Sequence, residues 1–502
     1  MKNTILLLVF VSIQHTISAQ KHDAVWLTGY DEFPGIPGNG HALIRFQGSG
    51  VTVEPTQLPF NFESTVAAMS DAAGNLLFYT NGCQVANRNN VVMPNGTGLT
   101  PGALGNQVCG WKGYSVPQGA LVLPFPGDSS RYYLFHIGGS YDPVRKIRLG
   151  PLYYSVVDMT LDGGLGDLAS KNNVLIVGDL ASYTAVRHGN GRDWWIIVPE
   201  FEDKLWHRFL LGPAGFIGLG PQTIPIFYHG CEHYGATAVA PDGSRVANWG
   251  DCKVVVLDFD RCSGQLSNLM ELDAPAHWVQ GGGVAFSPSG RYLYATSQTV
   301  LFRADLESAN PKLDTMRFSF DPYLQSPYDV PGNTFHGLVN APDGNLYCTV
   351  PSRATFMHVL KYADGATIDD IEFIAQGLSL AVKSVRTLPN LPNYRLYDLP
   401  DSPCDTLQID APVATKTPAK GLSPLVVMPN PNDGIFSVTL PEGDFQNLII
   451  FNSAGQRVGN WPVKTDSAML QIDMGKMPSG LYWAVLYDAY GMVAGRVKML
   501  KY

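Results

Sequence analysis

Six polar residues each stand shortly before a repeated pair of predicted β-strands, and they are the residues best suited to chemistry. A carboxyl, a phenol, two amides and two imidazoles can hydrogen-bond a polar ligand or exchange protons with it. They are Glu63, Gln118, Tyr183, His233, Gln280 and His336. Because most such groups in proteins satisfy main-chain atoms or water, a ligand site and a purely structural role both stay open.

Catalytic motifs of defined spacing are absent from the sequence. There is no G-x-S-x-G elbow for a serine nucleophile, and the run Gly281 to Gly283 lacks the lysine and serine of a phosphate-binding loop. The turns SPSGRYLY and APDGSRVA lack the threonine and tryptophan of the repeated sialidase turn. A carboxylate pair for glycoside hydrolysis would have to come from distant parts of the chain, with Glu63, Glu232 and Asp251 as candidates.

The elements that must position these residues are six similar hairpins. Each has an apolar strand, a polar turn with glycine and a second strand rich in aromatic residues, as in GGVAFSPSGRYLYAT. The turn glycines are Gly74, Gly127, Gly191, Gly243, Gly290 and Gly344. A hairpin that recurs about every fifty residues is typical of a β-propeller, in which each repeat is one blade.

The two ends of this region predict how the ring closes. The stretch LAVKSVRTLPNLPNYRLYDLP reads as one more inner strand without a hairpin, and three unpaired strands lie between Ala24 and Pro55. One last blade made from both termini would remove the exposed edges of the ring. We therefore predict an all-β chain with a seven-bladed propeller, or alternatively a six-bladed one, over residues 20–404.

The N-terminus and the charge restrict location and partners. Residues 1–19 carry Lys2, an apolar run too short for a bilayer and small residues at Ser18 and Ala19, as a secretory signal does. No other stretch is apolar and long enough to span a membrane. The formal net charge is −9 without basic blocks, so we predict no nucleic-acid partner.

Export makes the seven cysteines candidates for disulfides. Cys252 and Cys262 bracket a strand and lie too far apart to pair. We expect Cys231 to pair with Cys252 and Cys83 with Cys109, which leaves Cys262 for Cys404 by elimination and Cys348 as a buried free thiol. The stretch HGCEH offers zinc-type ligands at His229, Cys231 and His233, but no second close pair follows, so we predict no metal and no cofactor.

A second domain follows the propeller. Residues 405–424 lack large aromatic residues and mix Pro, Thr, Lys and Ala, as linkers do. Residues 425–502 begin at a Pro/Asn/Gly-rich turn and continue as alternating strands, which predicts a small Ig-like β-sandwich. The residues that mark its turns and its end are Pro429, Asn430, Pro431, Gly434, Gly455, Pro478, Gly480, Lys498 and Lys501.

The order PNP-x-x-G, N-x-x-G-Q-R-V, D-M-x-x-M-P-S-G-L-Y and K-M-L-K-Y is similar to the C-terminal sorting domain (type A) of the type IX secretion system. This resemblance covers residues 425–502. It implies that the type IX machinery reads the domain, that the domain is usually removed, and that the protein reaches the cell surface or the extracellular medium. We expect the cut between about Thr415 and Leu425.

The propeller region, roughly Ala24 to Ile409, resembles an uncharacterised propeller region of secreted, surface-associated Bacteroidota proteins. The pieces that carry the resemblance include GNLLFYTNGCQVANRNNVVMPNGTGL, HGNGRDWWIIV and LDFDRCSGQLSN. It implies an extracellular propeller and no particular reaction. The sequence favours a module that binds a protein or polysaccharide, and the alternative is an extracellular hydrolase or lyase acting on glycans or lactones.

Overall fold

The computed structural model describes residues 20–31, 38–48, 50–143, 146–201, 204–226, 235–250, 253–273, 282–297, 300–316, 334–350, 354–407, 425–441, 445–452, 457–463, 468–488 and 493–502. The chain forms two compact units that divide near residue 412. Both consist of antiparallel β-sheets. The described helices are α1 (Ala103–Val108) and two single 3₁₀ turns, Asp162–Gly164 and Ile368–Asp370, and no described helix has the length and apolar character to cross a bilayer.

Seven sheets make up the described part of the first unit. The first contains β1 (Val25–Tyr30), β2 (Gly40–Gln47) and β3 (Gly50–Thr56). The second contains β4 (Ala67–Ser70), β5 (Leu76–Thr80) and β6 (Val85–Asn87). The third contains β7 (Ala120–Pro124), β8 (Arg131–Asp142), β9 (Lys146–Asp158) and β10 (Asp167–Ile176). The fourth contains β11 (Thr184–Arg187), β12 (Trp194–Pro199), β13 (Leu205–Gly212), β14 (Gly215–Gly218) and β15 (Gln222–Thr223).

The remaining three sheets have four strands each. The fifth contains β16 (Ala236–Val239), β17 (Arg245–Gly250), β18 (Lys253–Phe259) and β19 (Leu266–Asp273). The sixth contains β20 (Val284–Phe286), β21 (Tyr292–Thr296), β22 (Leu301–Asp305) and β23 (Asp314–Met316). The seventh contains β24 (Leu338–Asn340), β25 (Leu346–Cys348), β26 (Ala354–Lys361) and β27 (Glu372–Ser384).

The seven sheets form a closed ring. Buried apolar residues of each sheet cluster with those of the next sheet along the chain. One further cluster joins the seventh sheet to the first, and in it the rings of Trp26 and Tyr347 lie 5.7 Å apart. A circle of sheets that pack face to face is a β-propeller. The predicted fold class is therefore confirmed, and the choice of seven blades over six stays a prediction that these seven sheets support.

The first strands of the second to seventh sheets line the centre of the ring. Among them β4 contacts β7, β11 contacts β16, and β20 contacts both β16 and β24. Each of these strands leads into a turn whose glycine has a φ between 76° and 96°, at the six positions that the sequence predicted. This backbone conformation costs glycine little, which explains the residue at each turn. We name the end of the ring where these inner strands begin the mouth.

The expected inner strand of the closing blade does not form. The LAVKS part of the stretch lies in β27, and residues 385–407 contain no strand. Ser384 bonds to Thr28 in β1, and Arg395 bonds to Asp23 just before β1. Eleven positions of this segment therefore accompany only five positions of the N-terminal stretch. Paired strands would advance together, and Pro389 and Pro392 also remove two ladder donors. The segment therefore runs beside β1 without pairing with it.

The described cysteines behave as predicted. Cys83 bonds to Cys109 and Cys262 to Cys404, with Cα–Cα distances of 5.3 and 5.4 Å. Cys348 is a buried free thiol. The expected Cys231–Cys252 bridge lies outside the described residues.

The second unit is a β-sandwich, as predicted. One sheet has the order β28–β29–β32 and the other β31–β30–β33–β34. Their bounds are β28 (Val426–Met428), β29 (Ile435–Thr439), β30 (Phe445–Asn452), β31 (Arg457–Pro462), β32 (Met469–Asp473), β33 (Gly480–Asp488) and β34 (Val493–Lys501). Phe436 and Val438 of β29, and Leu440 just after it, belong to one core with Leu448 and Ile450 of β30.

Candidate functional site

The centre of the propeller is filled by the chain itself. We name residues 385–404 the channel segment. Its side chains donate hydrogen bonds to main-chain carbonyls that lie in, or directly beside, the inner strands of three different sheets. These pairs are Asn390 with Tyr183 (2.9 Å), Asn393 with Pro241 (2.6 Å) and Tyr394 with Val122 (2.7 Å). A segment that bonds to several inner strands at once must lie between them, so it occupies the channel.

Tyr394 is the anchor of the channel segment. Its side chain is fully buried, and its ring makes edge contacts with Trp194 and His22 at 6.0 and 5.5 Å. Burial raises the pKa of the Tyr394 phenol far above its ordinary value, so it stays a neutral hydrogen-bond donor. The buried guanidinium of Arg187 lies 4.1 Å from the centre of the Trp194 ring and donates to the Tyr394 carbonyl at 3.4 Å.

The two ends of the channel segment lie at opposite ends of the ring. At the mouth, the Thr387 hydroxyl donates to the Glu63 carbonyl at 3.0 Å. Further along, Arg395 forms two hydrogen bonds of 2.6 Å with Asp23, and Cys404 is bonded to Cys262 between β18 and β19. The segment thus passes from the mouth through the channel to the other end of the ring.

Two of the predicted mouth residues are fully engaged in contacts within the protein. The Gln118 amide donates to the Thr237 carbonyl at 3.0 Å and accepts from the Thr237 N–H at 2.9 Å. Tyr183 is completely buried, with its hydroxyl 3.4 Å from the Gly119 carbonyl. Burial raises the pKa of the Tyr183 phenol well above its ordinary value. Both side chains lie at the mouth but use their polar atoms within the ring: Gln118 connects the third sheet to the fifth, and Tyr183 connects the fourth sheet to the third.

His336 also lies at the mouth, just before β24. Burial, with a smaller contribution from the Arg386 charge, lowers the pKa of His336 to about 3, so its imidazole is neutral at physiological pH. Its Nδ1 atom is shielded from solvent and has no hydrogen-bond partner among the described residues. The other two predicted mouth residues, His233 and Gln280, lie outside the described residues, as do Glu232, Asp251 and the HGCEH stretch.

Glu63 is the predicted residue that retains an accessible charged group. Its carboxylate is 3.1 Å from the ammonium group of Lys112 and accepts a hydrogen bond from the Ser115 hydroxyl. Both charged side chains keep about a fifth of their surface exposed. The ion pair connects the start of β4 to the long loop between β6 and β7.

That loop adds an aromatic ring beside the ion pair. The Trp111 side chain is 54% exposed, and the Lys112 ammonium lies 5.1 Å from the centre of its ring. We name Glu63, Trp111, Lys112 and Ser115 the mouth cluster. An exposed ring next to a carboxylate and an ammonium group presents an apolar surface together with donors and acceptors, which suits a polar ligand that has flat apolar patches.

The loop that carries Trp111 is held firmly. Helix α1 ends just before Cys109, whose disulfide to Cys83 fixes the loop to β6. The Trp111 carbonyl accepts a hydrogen bond of 3.0 Å from Asn61, and the next turn is fixed by a bond from Tyr114 N–H to the Asn81 carbonyl at 3.1 Å. A fixed aromatic ring loses little entropy when a ligand binds. The predicted Cys83–Cys109 pair indicated from the sequence that this loop is held in place. No sequence pattern indicated that Trp111 is exposed.

A second group of predicted residues comes together in the sandwich, where the entry turn is bonded to the last strand. The Asn430 side chain donates to the Lys498 carbonyl and accepts from the Leu500 N–H, both at 2.9 Å. The Lys501 ammonium group donates to the Met477 carbonyl at 2.8 Å, one residue before Pro478. These residues connect the beginning, the middle and the end of the domain.

Gly434 shows why this turn tolerates no larger residue. Its φ is 109°, and a Cβ atom there would lie 2.7 Å from Cε of Lys501 and 2.9 Å from the backbone of Gly475. The peptide bonds before Pro429 and Pro431 are cis. Gly480 begins β33, and Gly455 lies outside the described residues. The described motif residues therefore hold the termini of the sandwich together.

Comparison with known families identifies this second unit. Residues 426–494 match the family described as the secretion system C-terminal sorting domain. The predicted resemblance is thus confirmed, and type IX secretion directs the protein to the cell surface or the extracellular space. The predicted cut between Thr415 and Leu425 falls outside the described residues.

Solved structures with low sequence identity to this chain also overlap with much of its length. A putative 6-phosphogluconolactonase from Bacteroides fragilis shares 13% identity at a TM-score of 0.43, covering 74% of this chain and 98% of its own. The periplasmic gluconolactonase of Pseudomonas aeruginosa shares 12% identity at a TM-score of 0.36, covering 90% of this chain and 99% of its own. The beta-propeller domain of Myceliophteria thermophila Cps50 shares 10% identity at a TM-score of 0.36, covering 66% of this chain and 93% of its own. No curated protein matches the chain.

Proposed function

We propose that the propeller is a secreted binding module and that the mouth cluster is its ligand site. The observation that carries this proposal is the exposed Trp111 ring, held beside the Glu63–Lys112 ion pair by a disulfide-bonded loop. The axial channel, where propellers often hold ligands, is taken by residues 385–404 of the same chain. We therefore place the proposed site on the mouth surface.

The chemistry of the cluster favours a polysaccharide. The C–H face of a sugar ring can lie against the negative face of the Trp111 indole. The Glu63 carboxylate accepts hydrogen bonds from sugar hydroxyls, and the Lys112 ammonium donates to them. A charged pair that is only partly buried can exchange its water for these hydroxyls at modest cost.

Binding of the labelled full chain to a glycan array tests the proposal. We expect wild type to bind a group of related polysaccharides, and Trp111→Ala or Glu63→Gln to weaken that binding at least tenfold. Tyr362→Ala is the matched control, because Tyr362 is 63% exposed and belongs to no part of the cluster. The proposal is wrong if Trp111→Ala binds like wild type.

A hydrolase or lyase would give a different result. The polysaccharides that bind, and a panel of lactones, would be incubated with the full chain and examined for shortened or opened products. A binding module leaves them intact. Product formation that Glu63→Gln abolishes would replace the binding proposal with an enzymatic one.

A further inference from the structure

The sorting domain has a flat outer face that its own fold does not use. In β33, Tyr482, Ala484 and Leu486 are buried, so the residues between them point to the opposite side of the sheet. The same alternation applies to β30, where Leu448 and Ile450 are buried. We name this outer surface of the four-stranded sheet the aromatic face.

The strand register places its side chains in rows. Phe451 lies opposite Trp483, which lies opposite Lys498. The neighbouring rows are Ile449 with Val485 and Arg496, and Leu481 with Leu500. Arg457 extends the first row at the far edge. Trp483 is 38% exposed and Leu500 45%. An apolar centre is thus bordered by cations on both sides.

The charge of this face is unlike that of the chain. The whole protein has a formal net charge of −9, yet the aromatic face carries Arg457, Arg496 and Lys498 and no carboxylate among its described residues. None of the three cations forms an ion pair within the described part of the chain. Cations left without partners around an apolar centre are complementary to a surface with an acidic border.

Several of the motif residues that mark the domain are instead engaged within it. The side chains of Asn430 and Lys501 bond to main-chain atoms of the same domain, and Gly434 accommodates Lys501. The outer face of the other sheet exposes Met428, Ile435 and Met469 but no aromatic or cationic side chain among its described residues. Tryptophan and arginine are the residue types that dominate interface energies.

We propose that the aromatic face docks on a protein of the type IX export machinery whose surface is apolar at the centre and acidic at the border. The inference goes beyond ligand binding by the propeller and concerns only the sorting domain. Trp483 is the apolar anchor, and Arg496 and Lys498 set the orientation.

The test measures delivery of the full chain to the surface of a host with a type IX system, by accessibility to added protease. We expect Trp483→Ala, and separately Arg496→Glu with Lys498→Glu, to lower the surface fraction about tenfold or more and to leave the protein in the periplasm. Trp483→Phe keeps an aromatic ring and should restore most delivery. Met469→Ala, at a position 60% exposed on the other sheet, is the control and should be delivered normally.

Folding is checked on the purified variants by thermal melting, and the doubly charge-reversed variant covers the case in which Trp483→Ala fails to fold. Folded variants of the aromatic face that are delivered like wild type would overturn the proposal. Deletion of residues 425–502 must abolish delivery, since continued delivery would show that the domain itself is dispensable.

Two further measurements exclude other occupants. Binding of the full chain to phosphatidylglycerol vesicles, absent with phosphatidylcholine and lost in Arg496→Glu/Lys498→Glu, would assign the face to a membrane and overturn the proposal. Sedimentation that shows a dimer lost in Trp483→Ala would assign the face to a second copy and overturn it as well. A monomer that ignores both vesicles supports a protein partner.

Discussion

The centre of the propeller and the loop at its mouth use the same kinds of side chains for opposite purposes. In the channel, Tyr394 and Trp194 are fully buried and the Arg187 guanidinium bonds to carbonyl groups inside the ring. At the mouth, Trp111 keeps 54% of its surface exposed beside Lys112. An aromatic ring next to a cation therefore does not by itself mark a binding site. What distinguishes the mouth is that its ring is exposed while its backbone is fixed.

The largest effect should come from removing the anchor of the channel. Tyr394→Ala leaves a cavity and an unpaired Val122 carbonyl, so we expect the free energy of unfolding to fall by about 3–5 kcal/mol. Urea unfolding of the full chain measures this. Tyr362→Ala, at an exposed position, should stay within about 0.5 kcal/mol of wild type. A loss below about 1 kcal/mol for Tyr394→Ala would show that the channel segment is not part of the core.

Removal of each of the two disulfides should affect the free energy of unfolding and glycan binding to different extents. Cys262 and Cys404 are 142 positions apart, and replacing both with serine should lower the free energy of unfolding by about 2–5 kcal/mol while glycan binding persists. Cys83 and Cys109 are 26 positions apart. Their double serine variant should lose less stability but more binding, because Trp111 loses its support. Equal effects of both variants on binding would contradict the distinction between centre and mouth.

Trp111→Ala should abolish glycan binding and leave stability nearly unchanged, whereas the main effect of Tyr394→Ala is on stability. Because the ring is exposed, its removal should change the free energy of unfolding by no more than about 0.5 kcal/mol while the glycan array signal is lost. The two variants are best measured side by side, with melting and binding on the same samples. A large loss of stability in Trp111→Ala would place the ring in the fold and not in a site.

The smallest effect concerns pH. Burial lowers the pKa of His136 to about 3, below the ordinary value near 6.5, so the unfolded state binds more protons between these values. Stability therefore falls as the pH falls, and between pH 7 and pH 6 His136 should account for about 0.5–1 kcal/mol. His136→Gln should flatten this part of the stability profile. An unchanged slope would mean that the imidazole is not the group that titrates.

Local signals explain what the sequence predicted well. Each of the six turn glycines is explained by the positive φ of its own turn. The alternation of apolar residues identifies Phe436 and Val438 as inward-facing without knowledge of the partner strand. The Cys83–Cys109 bridge closes within one loop. Each of these features depends on residues that are near one another in the chain.

Features that depend on distant parts of the chain were less predictable. The apolar periodicity of the channel segment resembles that of a strand. Only the folded ring shows that its contacts go to Val122 in β7, to Tyr183 just before β11 and to Asp23 just before β1. The polar atoms of Gln118 are satisfied by Thr237, which lies 119 positions away. The exposure of Trp111 likewise depends on how the loop lies over the ring, which no local pattern encodes.

The threading of the channel segment has a topological consequence. The chain enters the ring at the mouth near Thr387, leaves at the other end and is fastened there by Cys404 to Cys262. The fastening point comes before residue 405, so a cut in the expected range between about 415 and 425 leaves both the channel segment and its disulfide with the ring. Conversely, a chain that ends at residue 384 already contains all seven sheets but lacks the segment that passes through the channel. The order of synthesis thus makes the channel segment the last part of the propeller to be added, after the strands that surround it.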